Sequence, residues 1–421
     1  MLALATAPHA LLAKPEELES WHENRANQSW NDMLEQLRDL PNRVLEKLPD
    51  DQQRDPLVQL EAAPLALGSL TSFGLSALGA DPDHPSFLPL NTDVLRNGQP
   101  AADTIYKTAF IAPGGTYRIT GKRGSVRMAI LAQRGPMPGG PAQTQQSAPQ
   151  PSNSHLDLDD LTVDDADRFS VVLSPERPDG YQGDWWELEP GTVRIMARLM
   201  SSDWASETDP SLAIERLDGP VRKPRPATTD LEDIFERVAV GANFSAPLLV
   251  RDPEKWREAG AINTFAQHTQ NRGFVPGQYY YIGAFDIEDD EALLIEVTIP
   301  SSCTYWSVML TDHLYVTIDP ANNQSSLNDS QAVPDPDGKV RILISHKDPG
   351  FANWIDPAGY STGLIQGRWL ECDENPSPSL RKIAFEDVPE VMPEGSLRIS
   401  SEQREEALRS RRSAREERPL W

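Results

Sequence analysis

The segment DPGFANWIDPAGY, residues 348–360, sets Asn353, Trp354 and Asp356 among Pro349, Gly350, Pro357 and Gly359, a pattern unsuited to a regular strand. A tryptophan brings a broad apolar face and one donor, and loops on a rigid β scaffold are where binding groups concentrate. Trp354 and Trp306 can wall an apolar ligand, Asn353 and Tyr305 can hydrogen-bond it, and Arg368 can hold a carboxylate or sulfate through two parallel N–H bonds. For proton transfer the candidates are Asp356 and Asp103, partnered by His346 or His313, whose imidazoles titrate near neutral pH. The chemistry this set fits is binding or transformation of a small, largely apolar, oxygenated organic molecule in a cleft between β modules. Each residue also has a plainer role. A tryptophan fills a sandwich core, Arg368 pairs with one of many carboxylates, and a histidine sits at a strand end.

The seven histidines show no metal-ligand spacing such as HExxH, so no metal is expected. No cofactor is expected either. Neither GxGxxG nor GxSxG occurs, and Gly121–Lys122 lacks the glycine spacing and the following Ser or Thr of a phosphate-binding loop. Cys303 and Cys372 are too few for a disulfide framework or a four-thiolate metal site. The acidic runs 157–167 and 288–291 miss calcium-loop spacing; the second, in DIEDDEA, reads as a hairpin turn between two strands.

These groups must be carried by an α+β chain that is mainly β. Residues 1–90 read as a helical region: Pro15 opens one helix, Trp30, Met33, Leu34 and Leu37 share a helical face, and Pro41 ends it. Residues 91–225 read as a first β module interrupted by a Pro/Gly/Gln/Ser-rich loop at 136–154, and 226–275 as a helical insert. Residues 276–395 read as a second, more regular β module, and 396–421 as a terminal Arg/Glu helix with a Ser400/Gln403 capping box. The arginines of that helix are expected on a solvated, salt-bridged surface. Two sandwich or jelly-roll-like modules with N-terminal, inserted and C-terminal helices are the expected architecture.

Composition narrows the partners. Acidic residues outnumber basic ones 64 to 39 in 421 residues, a net charge of −25. That opposes nucleic acid and anionic membrane surfaces, both of which demand clustered Lys and Arg. The run 62–80 is uncharged, but its Pro64, Gly68, Gly74 and Gly79 favour a core helix over a membrane span. With no basic region ahead of the N-terminal apolar stretch, a soluble cytoplasmic protein is expected.

Several stretches carry a resemblance to a bacterial family known by its C-terminal domain of unknown function, numbered 1214 (DUF1214). They are YWSVMLTDHLYVTID, NNQSSLNDSQAVPDPDGKVRILIS, DPGFANWIDPAGYSTGLIQGRW and EEALRSRRSAREER, with GADPDHPSFLPL, ADTIYKTAFIAPGGTYRITGKRGSVR and DGYQGDWWELEPG upstream. Where that family usually reads Asn-Pro-Asp before the first strand, this chain has Ala101–Ala102–Asp103. The resemblance implies β-sandwich modules with helical additions and no particular reaction. Besides the small-molecule reading stand two others, a carbohydrate-binding or glycan-active protein and a non-catalytic scaffold for other proteins, with homo-oligomerisation left open.

Overall fold

Every strand that reads as a long apolar run in this chain is an inner strand of a sheet, and the sheets pair into two sandwiches. The structure, a computed structural model, describes residues 25–419 apart from 93, 97, 137–138, 141–153, 226–227, 267–268, 271–274 and 276. The start of the helix expected at Pro15 and most of the loop at 136–154 therefore lie outside the described residues. The first sandwich comprises β1 (Leu88–Asn91), β2 (Thr104–Phe110), β3 (Tyr117–Lys122), β4 (Met128–Arg134), β5 (His155–Asp157), β6 (Arg168–Ser174), β7 (Asp184–Glu187), β8 (Arg194–Met200) and β9 (Ser211–Arg216). The second comprises β10 (Thr269–Gln270), β11 (Gln278–Asp286), β12 (Glu291–Thr298), β13 (Cys303–Thr311), β14 (Ser326–Asn328), β15 (Lys339–Ile344), β16 (Trp354–Ile355), β17 (Thr362–Cys372) and β18 (Ser379–Ala384).

The two sandwiches repeat one topology. A sheet β1-β2-β8-β4-β5 stacks on β7-β6-β3-β9, and a sheet β10-β11-β17-β13-β14 stacks on β16-β15-β12-β18. Adding nine to each strand number of the first pair gives the second. The correspondence extends to the parallel edge pairs β6–β7 and β15–β16. Strand alternation sorts the side chains. In β8, Ile195, Ala197 and Leu199 enter the core that also holds Ile119, Leu131, Val171 and Leu173. In β17, Ile365 and Trp369 enter a separate core with Tyr281, Ile295, Trp306, Val308 and Ile342. Gly367 lies where the Tyr281 ring passes; a Cβ there would meet that ring at 1.8 Å. The DIEDDEA segment is not a hairpin turn, because β11 and β12 belong to different sheets. It carries the chain across the sandwich instead.

Helices pack beside both sandwiches, against β1 of the first and β11 of the second. They are α1 (Arg25–Leu37), α2 (Leu40–Leu45), α3 (Asp50–Gln53), α4 (Pro56–Gly79), α5 (Thr228–Leu249) and α6 (Arg251–Glu258). Pro41 opens α2 rather than simply ending a helix, as its missing N–H allows. Asp55 caps α4 by accepting from the Leu57 N–H at 2.8 Å. The uncharged run forms one helix long and apolar enough to cross a membrane. In the fold, Ala62, Leu65, Ala66, Phe73 and Ala77 of α4 meet Val238, Ala239, Ala242 and Ala246 of α5 in a third core that includes Leu314.

After α7 (Val388–Val391), the chain ends in α8 (Ser401–Glu417), started by the expected capping box with both reciprocal bonds present. The expectation of a wholly solvated helix needs correction. Arg409 and Arg412 do pair with Glu405 and Glu416 in solvent. On the other face Arg404 reaches Asp348 and the Phe351 carbonyl of the second sandwich. Arg415 and Arg418 donate to the carbonyls of Ala102 and Asp103, which lead into the first sandwich. Helix α8 is thus a strap across both sandwiches, with Trp204 lying under Arg411 and Arg415 at 4.4 and 5.2 Å.

Candidate functional site

The two five-stranded sheets turn their outer faces toward each other. Met128, Ile130 and Met200 from the first meet Tyr305 and Leu370 from the second. Beside this contact opens a cleft of about 420 Å³. Its walls repeat the topology of the sandwiches. On β8, Arg198 is the cross-strand neighbour of Tyr106 on β2; on β17, Arg368 is the cross-strand neighbour of Tyr280 on β11. All four residues line the cleft, with Tyr305, Gln366 and a largely apolar remainder that includes Met128, Met196, Val275 and Leu370.

Arg368 is 6% exposed. Its Nη2 lies 3.3 Å from the Met309 sulfur and 3.4 Å from Gln366 Oε1, and its guanidinium is 5.5 Å from the Tyr280 ring centre. Its Nε has no hydrogen-bond partner among the described residues. Burial works against the charge, but the hydroxyls of Tyr280, Tyr305 and Tyr106 and the Asp103 carboxylate outweigh it, leaving Arg368 above the usual arginine value. Arg198 moves the other way. Burial lowers it, the Tyr106 and Tyr280 hydroxyls oppose this, and the Arg368 charge lowers it further. Burial brings Arg194 to about 10, and burial with the charges of Arg198 and Arg194 brings Arg134 to about 9. The cleft-side face of the first sandwich is therefore a crowded cationic surface in an acidic protein.

Asp103 is 1% exposed and spans the sandwiches. It accepts the Tyr305 hydroxyl at 2.5 Å on one oxygen and the Trp204 indole N–H at 2.9 Å on the other. Burial and the adjacent Asp103 charge raise the Tyr305 hydroxyl well above the ordinary tyrosine value, so it stays a donor. Of the candidates, the structure brings Asp103, Tyr305 and Arg368 together. Trp306 neighbours Tyr305 in sequence but faces the core, 6.1 Å from Trp369.

The Asn-Trp-Ile-Asp segment lies elsewhere. Trp354 and Ile355 form β16, an edge of the four-stranded sheet, so the sandwich core separates them from the cleft. Asn353 exchanges two hydrogen bonds with the Val333 backbone at 2.8 and 2.7 Å. Trp354 donates to the Ser345 carbonyl at 3.0 Å and lies beneath Arg404. Asp356 accepts from the Ala358 N–H at 2.7 Å; burial raises its pKa, with the His346 imidazole among the groups opposing the rise. His346 Nε2 is buried without a hydrogen-bond partner among the described residues. His313 is on neither site; it packs edge-on against Tyr360 at 6.1 Å.

Sequence reasoning missed Arg198, Tyr106 and Tyr280. The signal was a four-residue echo: Ala197-Arg198-Leu199-Met200 against Gly367-Arg368-Trp369-Leu370, a small residue, an arginine and two large apolar residues at matching strand positions.

Residues 287–363 match the model of a family described as a protein of unknown function, DUF1214. That segment includes Tyr305 and stops short of Arg368. No curated protein matches the chain. A crystal structure of an uncharacterised protein from Burkholderia cenocepacia is similar at a TM-score of 0.76 and 26% identity, over 86% of this chain and 99% of that one. The VPA0106 protein from Vibrio parahaemolyticus matches at a TM-score of 0.43 and 12% identity, over 76% of this chain and 100% of that one.

Proposed function

Starting from a chain that carries a DUF1214 segment at residues 287–363, we propose that the protein binds a small, largely apolar organic acid in the cleft between its two sandwiches. The observation that carries this reading is Arg368, a buried cation with an unpartnered Nε, set in a cleft opposite a second arginine. Two like charges at a desolvated site raise each other's energy, and an anion between them relieves both. The ligand's carboxylate or sulfate takes the Arg368 and Arg198 guanidiniums, while its body lies along Met128, Met196, Val275 and Leu370. Binding is favoured over proton transfer, because both oxygens of Asp103 are already engaged by the protein. Carbohydrate stacking draws less support, since Trp306 and Trp354 are 4% and 6% exposed.

Thermal unfolding of the purified full chain with matched carboxylates, sulfates and neutral amides of aromatic and alicyclic compounds tests the reading. Anions are expected to raise the melting temperature and their amides to leave it unchanged. Equal shifts for acid and amide, or no shift in any pair, overturn it.

A further inference from the structure

A second cavity, of about 880 Å³, opens between α4, residues 89–92 and 94–96, and the loop 312–323 after β13. It shares no lining residue with the inter-sandwich cleft. Its sides are apolar, built by Leu65 and Leu75 of α4 with Val316 and Ile318 of the loop. Its polar end carries the opposite sign to the cleft. Asp312 is 4% exposed; its Oδ1 accepts the N–H groups of Leu314 and Val316, both at 2.8 Å. Its Oδ2 has no partner among the described residues, and the side chain lines the cavity. Glu61, from the facing wall, accepts the Tyr360 hydroxyl at 3.1 Å and bears electrostatically on Asp312. The cation at this end, Arg96, spends one N–H on the Thr317 carbonyl at 3.2 Å.

A buried carboxylate with an open oxygen calls for a donor or a positive charge. The described residues contain no cluster of three or more acidic, histidine or cysteine groups that could hold a metal ion. The space is also far larger than a metal ion needs, with two apolar walls. A ligand matching both halves has one cationic donor head and a hydrocarbon body. We propose that this cavity binds an organic ammonium ion, its head between Asp312 and Glu61 and its apolar body along Leu65, Leu75, Val316 and Ile318. The site is independent of the anion cleft.

The test is calorimetric titration of the full chain at pH 8 with three probes of one shape: 4-phenylbutylammonium, 4-phenylbutanol and 4-phenylbutanoate. The ammonium is expected to bind about tenfold or more tighter than the alcohol, as a charge-assisted hydrogen bond in a desolvated site requires. The carboxylate is expected not to compete. Asp312→Asn should bring ammonium and alcohol to similar affinity, and Glu61→Gln should reduce the preference in the same direction. Thr71→Trp, an exposed α4 position lining the cavity, should abolish binding by filling it. Arg368→Gln in the cleft should leave ammonium binding unchanged. Alcohol binding as tight as ammonium overturns the proposal, as does ammonium binding that survives Thr71→Trp. Should Asp312→Asn not fold, Glu61→Gln and Thr71→Trp still decide it.

Discussion

Arg198 and Arg368 hold equivalent places on the middle strands of two sheets with one strand order, each beside a tyrosine on the neighbouring strand, and both line one cleft. A repeated sandwich folded face to face delivers two like charges to one site without any motif contiguous in sequence. Such an arrangement costs the fold energy and becomes useful once an anion enters.

Arg198→Met should therefore stabilise the ligand-free protein. The substitution removes a guanidinium whose charge burial and Arg368 both disfavour, and keeps an unbranched apolar side chain in a cleft lined by Met128, Met196 and Met200. A gain of about 1–2 kcal/mol, read as a higher melting temperature, follows from replacing a poorly compensated buried charge. The same variant should lose the stabilisation by organic acids that the native chain shows.

What the sequence disclosed and what it hid follow from strand position. The inner strands β2, β4, β8, β11, β13 and β17 are buried on both faces and read as apolar runs, so they were legible. The strands that escaped notice, β1, β5, β7, β10, β14, β16 and β18, are all sheet edges. Edges are short and polar on one side, so their pattern is weak. Trp354 shows the cost. Its Pro/Gly-rich surroundings read as a binding loop, while its indole N–H and the Asn353 amide are spent tying β16 to the protein backbone. Arg368 and Tyr305 were legible as residues. Their partner Arg198 was not, because pairing across two modules leaves no spacing to read.

The cysteines bear on compartment. Cys303 and Cys372 are register partners on β13 and β17 and form a disulfide closing a separation of 69 residues. Two cysteines do not make a framework, yet they staple two inner strands of the second sandwich. Protein purified without reductant and unfolded in denaturant should show no free thiol by titration, and Cys303→Ser with Cys372→Ser should lower stability by about 3–4 kcal/mol. A zero thiol count argues for an oxidising environment, whereas two thiols favour the cytoplasmic expectation.

Asp312 and His313 respond oppositely to pH. Burial, followed in effect by backbone hydrogen bonding and the Glu61 charge, leaves Asp312 at about 7 against 3.8 when unfolded. Burial and the Arg257 charge take His313 down to about 4 against 6.5. A raised carboxyl stabilises the fold at low pH, and that contribution is lost as pH rises from 3.8 through about 7. A depressed imidazole stabilises it above 6.5, and that contribution is lost as pH falls toward about 4. Between about 4 and 6.5 the two slopes oppose each other. Across that window the melting temperature of Asp312→Asn should rise with pH relative to the native chain, and that of His313→Gln should fall. Parallel profiles for all three proteins would refute the assignment.

The strap supplies the sharpest test of how the sandwiches are held. Arg418, directly after α8, makes a two-point ion pair with Asp209, Nε to Oδ2 at 2.8 Å and Nη2 to Oδ1 at 2.7 Å, and both side chains are 2% exposed. It also donates to the carbonyls of Asp103 and Leu199, so one side chain ties the terminal helix to β8 and to the backbone of the residue whose carboxylate holds Tyr305. Arg418→Met leaves Asp209 buried and unpaired and should cost about 3 kcal/mol in urea unfolding. Asp209→Leu alone strands the arginine and should cost a similar amount. The double variant removes both charges and should recover most of the loss, because the pair's desolvation consumes much of its Coulombic gain. A double variant no more stable than either single one would mean that the Asp103 and Leu199 carbonyl bonds, rather than the ion pair, carry the strap.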